Sequence, residues 1–304
     1  MSSPAANQMS TRAWVELILL STLWGASFFS IAIALREIGP VTAVLHRVGW
    51  AALLLWLVVL VRGYAIPRGP RMWGAFLVMG LLNNVIPFTL MSWGQTQIET
   101  GLVSIFNAMT AIFGVVVAAL LLRDEPLGSR RLLGVVLAFA GVVVIKGVEN
   151  LASLDLRTLG QYAVLAGALS YAFASVWAKV TLKGNPPEVS AAGMLTGSTL
   201  VMLPFSVWAE GVPTLALSIE TWAAIGYYAI FATAVAYLLY YRVLAMAGAG
   251  NLMLCTLLIP PIAILLGWAY LGERLEPSVY AGFAMIAAGL VVIDGRLVQR
   301  KPPG

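Results

Sequence analysis

The sequence predicts an all-α membrane protein whose ten transmembrane helices form two inverted five-helix repeats. Three observations predict it. Of the 304 residues, 61% are hydrophobic and 10% charged, with a mean hydropathy of +0.92, so the chain cannot cover itself with polar surface and lipid must be its main solvent. Ten apolar stretches are long enough to cross a bilayer, which takes about 20 helical residues each. Glu125, Gly134, Gly141 and Gly147 recur as Glu273, Gly282, Gly289 and Gly295, each 148 positions later. The text between them agrees as well, GVVLAFAGVVVIKG reading GFAMIAAGLVVIDG in the second copy, and such fixed-step similarity marks an internal duplication.

The expected spans are 13–35, 41–61, 72–92, 100–122, 130–147, 158–182, 188–209, 219–241, 249–271 and 278–295. Backbone groups in hydrocarbon must bond within their own segment, and no alternating ten-residue pattern is present, so these are helices rather than barrel strands. Turn signals separate them in order: Gly39-Pro40, Pro67 with Gly69-Pro70, Pro126 with Gly128, Asn185-Pro186-Pro187, Gly211 with Pro213, Gly248 with Gly250, and Pro277. No connection is long enough to hold a soluble domain, so the repeats are expected over residues 1–150 and 151–304. Residues 1–11 are polar without a basic cluster, and the first span exceeds a signal-peptide core, so that span is expected to be retained.

Charge sets the expected orientation. Thirteen of the 18 basic residues fall on the side of the two chain ends, against Arg36, Lys146, Arg157 and Arg274 on the other. That bias puts both termini in the cytoplasm of a cell inner membrane. Five spans per repeat is an odd number, so the second copy enters the membrane upside down relative to the first. The basic residues are scattered among apolar runs, not gathered on one face, which excludes a nucleic-acid partner. The lone Cys255 excludes an intrachain disulfide and a cysteine-based zinc site. Absent too are GxxxxGK[ST], HExxH, GxSxG and DxDxDG motifs. No cofactor is expected, and transport would be secondary or facilitative.

Candidate site residues come from polar and aromatic groups inside the spans. All 13 acidic residues lie at or near span ends; Glu16, in the first turn of its helix, suits the helix dipole. His46 and Arg47 lie inside span two, and a functional role would have one of them face a substrate carboxylate. Asn83, Asn84, Asn107 and Thr110 fall near the middle of spans three and four, where amides and hydroxyls either join helices or meet a substrate. Pro260, paired with Pro261, releases carbonyls that an intact helix would satisfy and that an ammonium group could use. Trp24, Phe106, Tyr171, Trp177 and Tyr237 lie away from the interfacial belts, as packing groups or as a stacking surface. The glycines at 134, 141, 282 and 289 form stripes two turns apart and are expected to pack helices within the monomer or between protomers.

LLSTLWGASFF in span one, the Gly39-Pro40 turn, Arg47, and the two glutamate turns with their following glycines resemble the EamA branch of the drug/metabolite transporter superfamily. Within that branch the overall texture is most similar to YddG-type amino acid exporters. The resemblance implies ten helices in two inverted halves, with a cavity lined by the first four helices of each half. The halves have diverged, for Tyr171 stands where the first half has Trp24 and Met194 where it has Arg47.

The expected function is export of small zwitterionic metabolites, aromatic or apolar amino acids above all, by alternating access, with facilitation favoured over proton coupling. A nucleotide-sugar or phosphate-ester exchanger is the alternative. A membrane-embedded enzyme is the more distant one, since it would need midplane acids or histidines in a cluster. The expected partners are the small-molecule substrate and the lipid bilayer, as a monomer or a homodimer. On this topology, a reporter fused after Gly304 is cytoplasmic and a cysteine in the 62–71 loop is labelled from inside, whereas one near Glu149 is labelled from outside. Labelling of both loops from one side would reject the inverted arrangement.

Overall fold

Proline sets the start of four helices in this computed structural model, which describes residues 9–122, 128–147 and 155–295. Pro40, Pro70, Pro187 and Pro277 each open a helix, where a missing N–H costs nothing and the fixed φ already suits the helix. Ser10, Asp155 and Ser218 open three more by accepting the N–H of Ala13, Thr158 and Thr221, satisfying an orphan donor of the first turn. Glu125, the first copy of the turn glutamate, lies outside the described residues.

Eight helices are long and apolar enough to cross a membrane: α1 Thr11–Ala34, α2 Pro40–Val61, α3 Pro70–Gln95, α4 Thr100–Leu121, α6 Leu156–Thr181, α7 Pro187–Glu210, α8 Ile219–Gly248 and α10 Pro277–Asp294. Two more make up the expected ten among the described residues. Helix α5, Ser129–Lys146, is apolar between Arg130 and Arg131 at its start and Lys146 at its end, and α9, Cys255–Leu271, is a shorter apolar helix. The expected limits agree within a few residues except at one junction. Sequence reading ends the eighth span at 241 and starts the ninth at 249, whereas α8 continues to Gly248 and α9 begins only at Cys255. Helical dihedrals stop at Gly248, where φ is +75°. The 30 residues of α8 exceed what a hydrocarbon core of about 30 Å needs, and near its end Arg242 reaches the Glu16 carboxylate of α1.

Several helices are interrupted. Five-residue-spaced turns replace α-helical ones at Leu81–Val85 in α3, Tyr227–Val235 in α8 and Gly267–Leu271 in α9, and α4 is broken at Ala108. Such π turns free carbonyls and rotate the following side chains.

Packing is reciprocal between the halves. α1 packs on α8 and α9, α6 packs on α3 and α4, α2 meets α8 as α3 meets α7, and α2·α7, α4·α9 and α5·α10 pair directly. The α5·α10 contact follows from glycine: a Cβ on Gly134 would lie 2.5 Å from the Gly289 carbonyl oxygen, and one on Gly141 2.6 Å from that of Gly282. The stripes therefore join helices within one chain, running antiparallel. Antiparallel too is α2·α7, because the Glu210 carboxylate at the end of α7 accepts the Val41 and Thr42 N–H groups at the start of α2 at 2.9 and 2.8 Å. At their opposite ends Arg62 pairs with Glu188 at 3.0 Å.

End-to-end contacts sort the connections into two sets. At the end where α1 begins, the near end, lie Arg62–Glu188, Glu16–Arg242 and the Arg130 bond to the Ile293 carbonyl. At the far end, Glu99 pairs with Arg157, Glu273 accepts the Thr100 and Gly101 N–H groups, and Ser218 donates to Glu37. The Thr221 and Ser218 hydroxyls hold the Glu37 carboxyl below the usual carboxylate range. Among the described residues these contacts do not mix the sets, as expected of spans that alternate in direction.

Gly134→Val and Gly289→Val should each lower the midpoint of thermal unfolding in detergent, since overpacking a close helix contact costs about 1–3 kcal/mol. Gly114→Ala, where nothing lies within 4 Å of the added carbon, should leave it unchanged. Equal midpoints for all three would remove the glycine seam as the basis of the α5·α10 contact.

Candidate functional site

Arg47 sits seven residues into α2, roughly 10 Å from its far end at 1.5 Å per residue, and is buried. Its Nε donates to Thr233 Oγ1 at 3.0 Å, and the guanidinium carbon lies 3.9 Å from the centroid of the Phe88 ring. Thr233 can accept because its own proton goes to the Tyr228 carbonyl at 2.7 Å, a group five residues back in the π segment of α8. Phe88 in turn meets Tyr171 edge-on at 6.3 Å. Residues of α2, α3, α6 and α8 thus converge on one cation. Among the described residues the guanidinium makes no other hydrogen bond and no ion pair. The face of an aromatic ring is worth about 2 kcal/mol to a desolvated cation, which leaves its remaining N–H groups for an anion.

A second network lies beside it. Asn83 Nδ2 donates to the Tyr237 hydroxyl at 3.0 Å, Tyr237 donates to Asn84 Oδ1 at 3.0 Å, and Asn84 Nδ2 donates to Ser198 Oγ at 2.9 Å. Ser198 closes the chain on the Met194 carbonyl at 2.9 Å. The π turn of α3 presents both asparagines, and α7 comes this near because Gly80 has no Cβ, which would lie 2.6 Å from the Met194 carbonyl oxygen.

The π segments of α3 and α8 are each clasped by the first helix of the other half. Trp24 Nε1 of α1 donates to the Ala232 carbonyl of α8 at 3.2 Å, and Ser170 Oγ of α6 donates to the Leu82 carbonyl of α3 at 2.7 Å. Carbonyls freed from a helix in lipid need such donors.

The structure brings together Asn83, Asn84 and Tyr237, sets Tyr171 against Phe88 beside Arg47, and places Trp177 against the cluster of Met79 and Met194 that also touches Tyr237. Trp177 is anchored by its bond to the Ala75 carbonyl at 3.1 Å. Trp24 lies one helix away, its ring tilted against Tyr240 at 5.9 Å. His46 is not part of this group. Its Nδ1 accepts from Trp50 Nε1 at 3.3 Å and its ring meets Trp222 edge-on at 5.7 Å, so it points to the rim side of α2. Phe106 is fully buried in the apolar core. Asn107 and Thr110 flank the break of α4, the Thr110 hydroxyl buried without a partner among the described residues. Pro260 is buried within α9.

Sequence reasoning left Thr233 and Phe88 out and did not separate Arg47 from His46. The usable signal was cost: a buried guanidinium demands acceptors or a π face, and hydroxyls and aromatics deep in neighbouring spans are the places to look. Among the described residues no three His, Cys, Asp or Glu side chains converge to hold a metal ion. A cavity of about 180 Å³ opens toward the near end, lined among others by Met79, Lys183, Met194 and Tyr241.

A bundle of apolar helices in two repeats, interrupted where their halves meet around polar and aromatic side chains, defines a multi-pass membrane protein. The chain belongs to the EamA-like transporter family, whose profile matches it twice, over residues 12–147 and 158–294. It is 21% identical to the uncharacterized transporter YoaV of Bacillus subtilis (strain 168), over 95% of this chain and 99% of that one. It is 25% identical to the uncharacterized inner membrane transporter YedA of Escherichia coli (strain K12), over 94% and 92%. A protein of Streptantibioticus cattleyicolor described as a probable terminal-alkyne amino-acid exporter is 24% identical over 97% of each chain. A solved crystal structure aligns with a TM-score of 0.67 at 17% identity, covering 95% of this chain and 97% of its own, and so shares the fold.

Tyr237→Phe removes the hydroxyl that joins Asn83 to Asn84. A buried polar group left unsatisfied costs about 1–3 kcal/mol, so the thermal midpoint in detergent should fall. An unchanged midpoint would show that the network adds nothing to the fold.

Proposed function

We propose that this chain exports small zwitterionic metabolites, aromatic and apolar amino acids above all, from a cell inner membrane with both termini cytoplasmic. Its halves, residues 1–150 and 151–304, act as inverted repeats that alternate access to one site between them. The observation that carries the reading is Arg47, a buried guanidinium held on one side by Thr233 and Phe88 and unspent on the other. It would take the substrate carboxylate. Phe88, Tyr171 and Trp24 offer surfaces for an apolar body, and Asn83 has a carbonyl oxygen to offer an ammonium group. The antiparallel α2·α7 and α5·α10 pairs support the inverted arrangement, and the relative described as a probable amino-acid exporter supports the substrate class. A phosphate ester brings two negative charges to a single guanidinium, which disfavours the exchanger reading.

The test is competition in proteoliposomes. Phenylalanine should compete for transport better than phenethylamine, which has the same ring and amine without the carboxylate. Charged hydrogen bonds are worth about 1.5–3 kcal/mol, so Arg47→Gln should erase roughly 10- to 100-fold of that advantage. Asn83→Ala and Trp24→Ala should also reduce transport at equal expression. No preference for phenylalanine in the wild type would remove the carboxylate role.

A further inference from the structure

The two halves carry the same path in different states. Positions correspond at a step of 147 in the first two helices of each half, as Pro40 with Pro187 and Arg47 with Met194 show. Across α3 and α8 the step is 149, which pairs their first residues, Pro70 and Ile219, and superposes their π segments. Among the residues lining the near-end cavity are Met79, Leu182, Asn185, Ser190 and Met194. Its repeat partners at the far end are Tyr228, Leu35, Ile38, Ala43 and Arg47.

That far-end set is filled. Ile38, Ala43 and Tyr228 pack in a single apolar cluster with Ile31 and Ile225, and Leu35 lies against it. Arg47 sits beyond them, facing Thr233 of the same π segment that begins with Tyr227. The exchange of side chains accounts for the asymmetry: Asn185 and Ser190, which give the near cavity polar groups, correspond to Ile38 and Ala43, which pack in one apolar cluster. Two clasps hold the closure, Glu210 on the Val41 and Thr42 N–H groups and Glu37 on Ser218. One cost is visible. The Tyr228 hydroxyl is buried without a partner among the described residues, a penalty that opening to water would relieve.

We propose that the Ile31–Ile38–Ala43–Tyr228 cluster is the far gate of the transport path, closed here, and that the cavity above Met79 and Met194 is the open near mouth through which the substrate reaches Arg47. The inference rests on the alternating-access reading above. When the gate parts, Arg47 becomes the floor of the far path as Met194 is now the floor of the near one.

Thiol accessibility tests it without knowledge of the substrate. In a Cys255→Ser background, Ser190→Cys and Ala43→Cys occupy corresponding positions, and a membrane-impermeant maleimide is supplied to both faces of permeabilised proteoliposomes. Ser190→Cys should react at least about tenfold faster, as expected when the other state is a minor one of about 10% or less. Adding Glu210→Gln, or the stronger Ile38→Ser, should raise the Ala43→Cys rate and lower that of Ser190→Cys, with gel filtration confirming folded protein. Equal rates at the two cysteines without either change would overturn the gate, as would an Ala43→Cys rate that neither change moves. A rise at Ala43→Cys with no fall at Ser190→Cys would keep the gate and reject alternating access. Failure of phenylalanine transport with this labelling pattern intact would reject only the substrate class.

Discussion

Everything in this fold answers one constraint: a backbone carbonyl in hydrocarbon must find a donor. Regular helices meet it internally, and wherever the helix ladder is broken another element has to supply the missing partner. The two π segments of α3 and α8 are such places, and their freed carbonyls at Leu82 and Ala232 are taken by Ser170 and Trp24. Each donor belongs to the first helix of the opposite half. Satisfying the interruptions therefore ties the halves together at the level where the polar side chains gather. A transporter needs polar groups inside the bundle without a lipid-exposed defect, and crossed donation between halves provides both at once.

Arg47 shows what that arrangement tolerates. Burying a charge without a counter-ion is costly, and a structure selected for stability alone would place an apolar side chain there, as the second half does with Met194. Thr233 and the Phe88 face offset part of the penalty, but neither neutralises the charge. The residual electrostatic demand makes the site attractive to an anion of low charge and poor for a second cation. On the function proposed above, selection of a carboxylate rests on this incomplete compensation rather than on a dedicated pocket shape.

Most of the fold could be read from the sequence because it depends on local quantities. Hydropathy over twenty residues marks a span, and proline, glycine and hydroxyl residues mark its ends, so ten segments emerge without any knowledge of contacts. The α8–α9 junction escaped because Arg242 interrupts the apolar run while the helix continues to Gly248. Side-chain direction is less local. A π turn inserts one residue and rotates everything after it by about 100°, so helical periodicity read across Leu81–Val85 or Tyr227–Val235 assigns later residues to the wrong face. Depth in the membrane survives that shift, which is why Asn83, Asn84 and Tyr237 were legible as candidates. Orientation does not, which is why Thr233 and Phe88 were missed and why His46, at the right depth beside Arg47, turned out to face Trp50 and Trp222.

On the alternating-access reading proposed above, duplication explains how one sequence encodes two states. In a strictly symmetric pair of inverted halves the near-open and far-open conformations would be related by a twofold rotation and equal in energy, and neither end would be preferred. Divergence at a few corresponding positions breaks that equality: Asn185 and Ser190 stand in the near mouth where the proposed far gate has Ile38 and Ala43, and Met194 stands where it has Arg47. The far end is then favoured closed by apolar burial, and a ligand can shift the balance only by binding the two states unequally. On the proposed function, a carboxylate on Arg47 is the ligand that does so. It lowers the cost of bringing the buried guanidinium toward water at the far end, since a neutralised pair loses less on transfer than a bare charge pressed against Thr233 and Phe88.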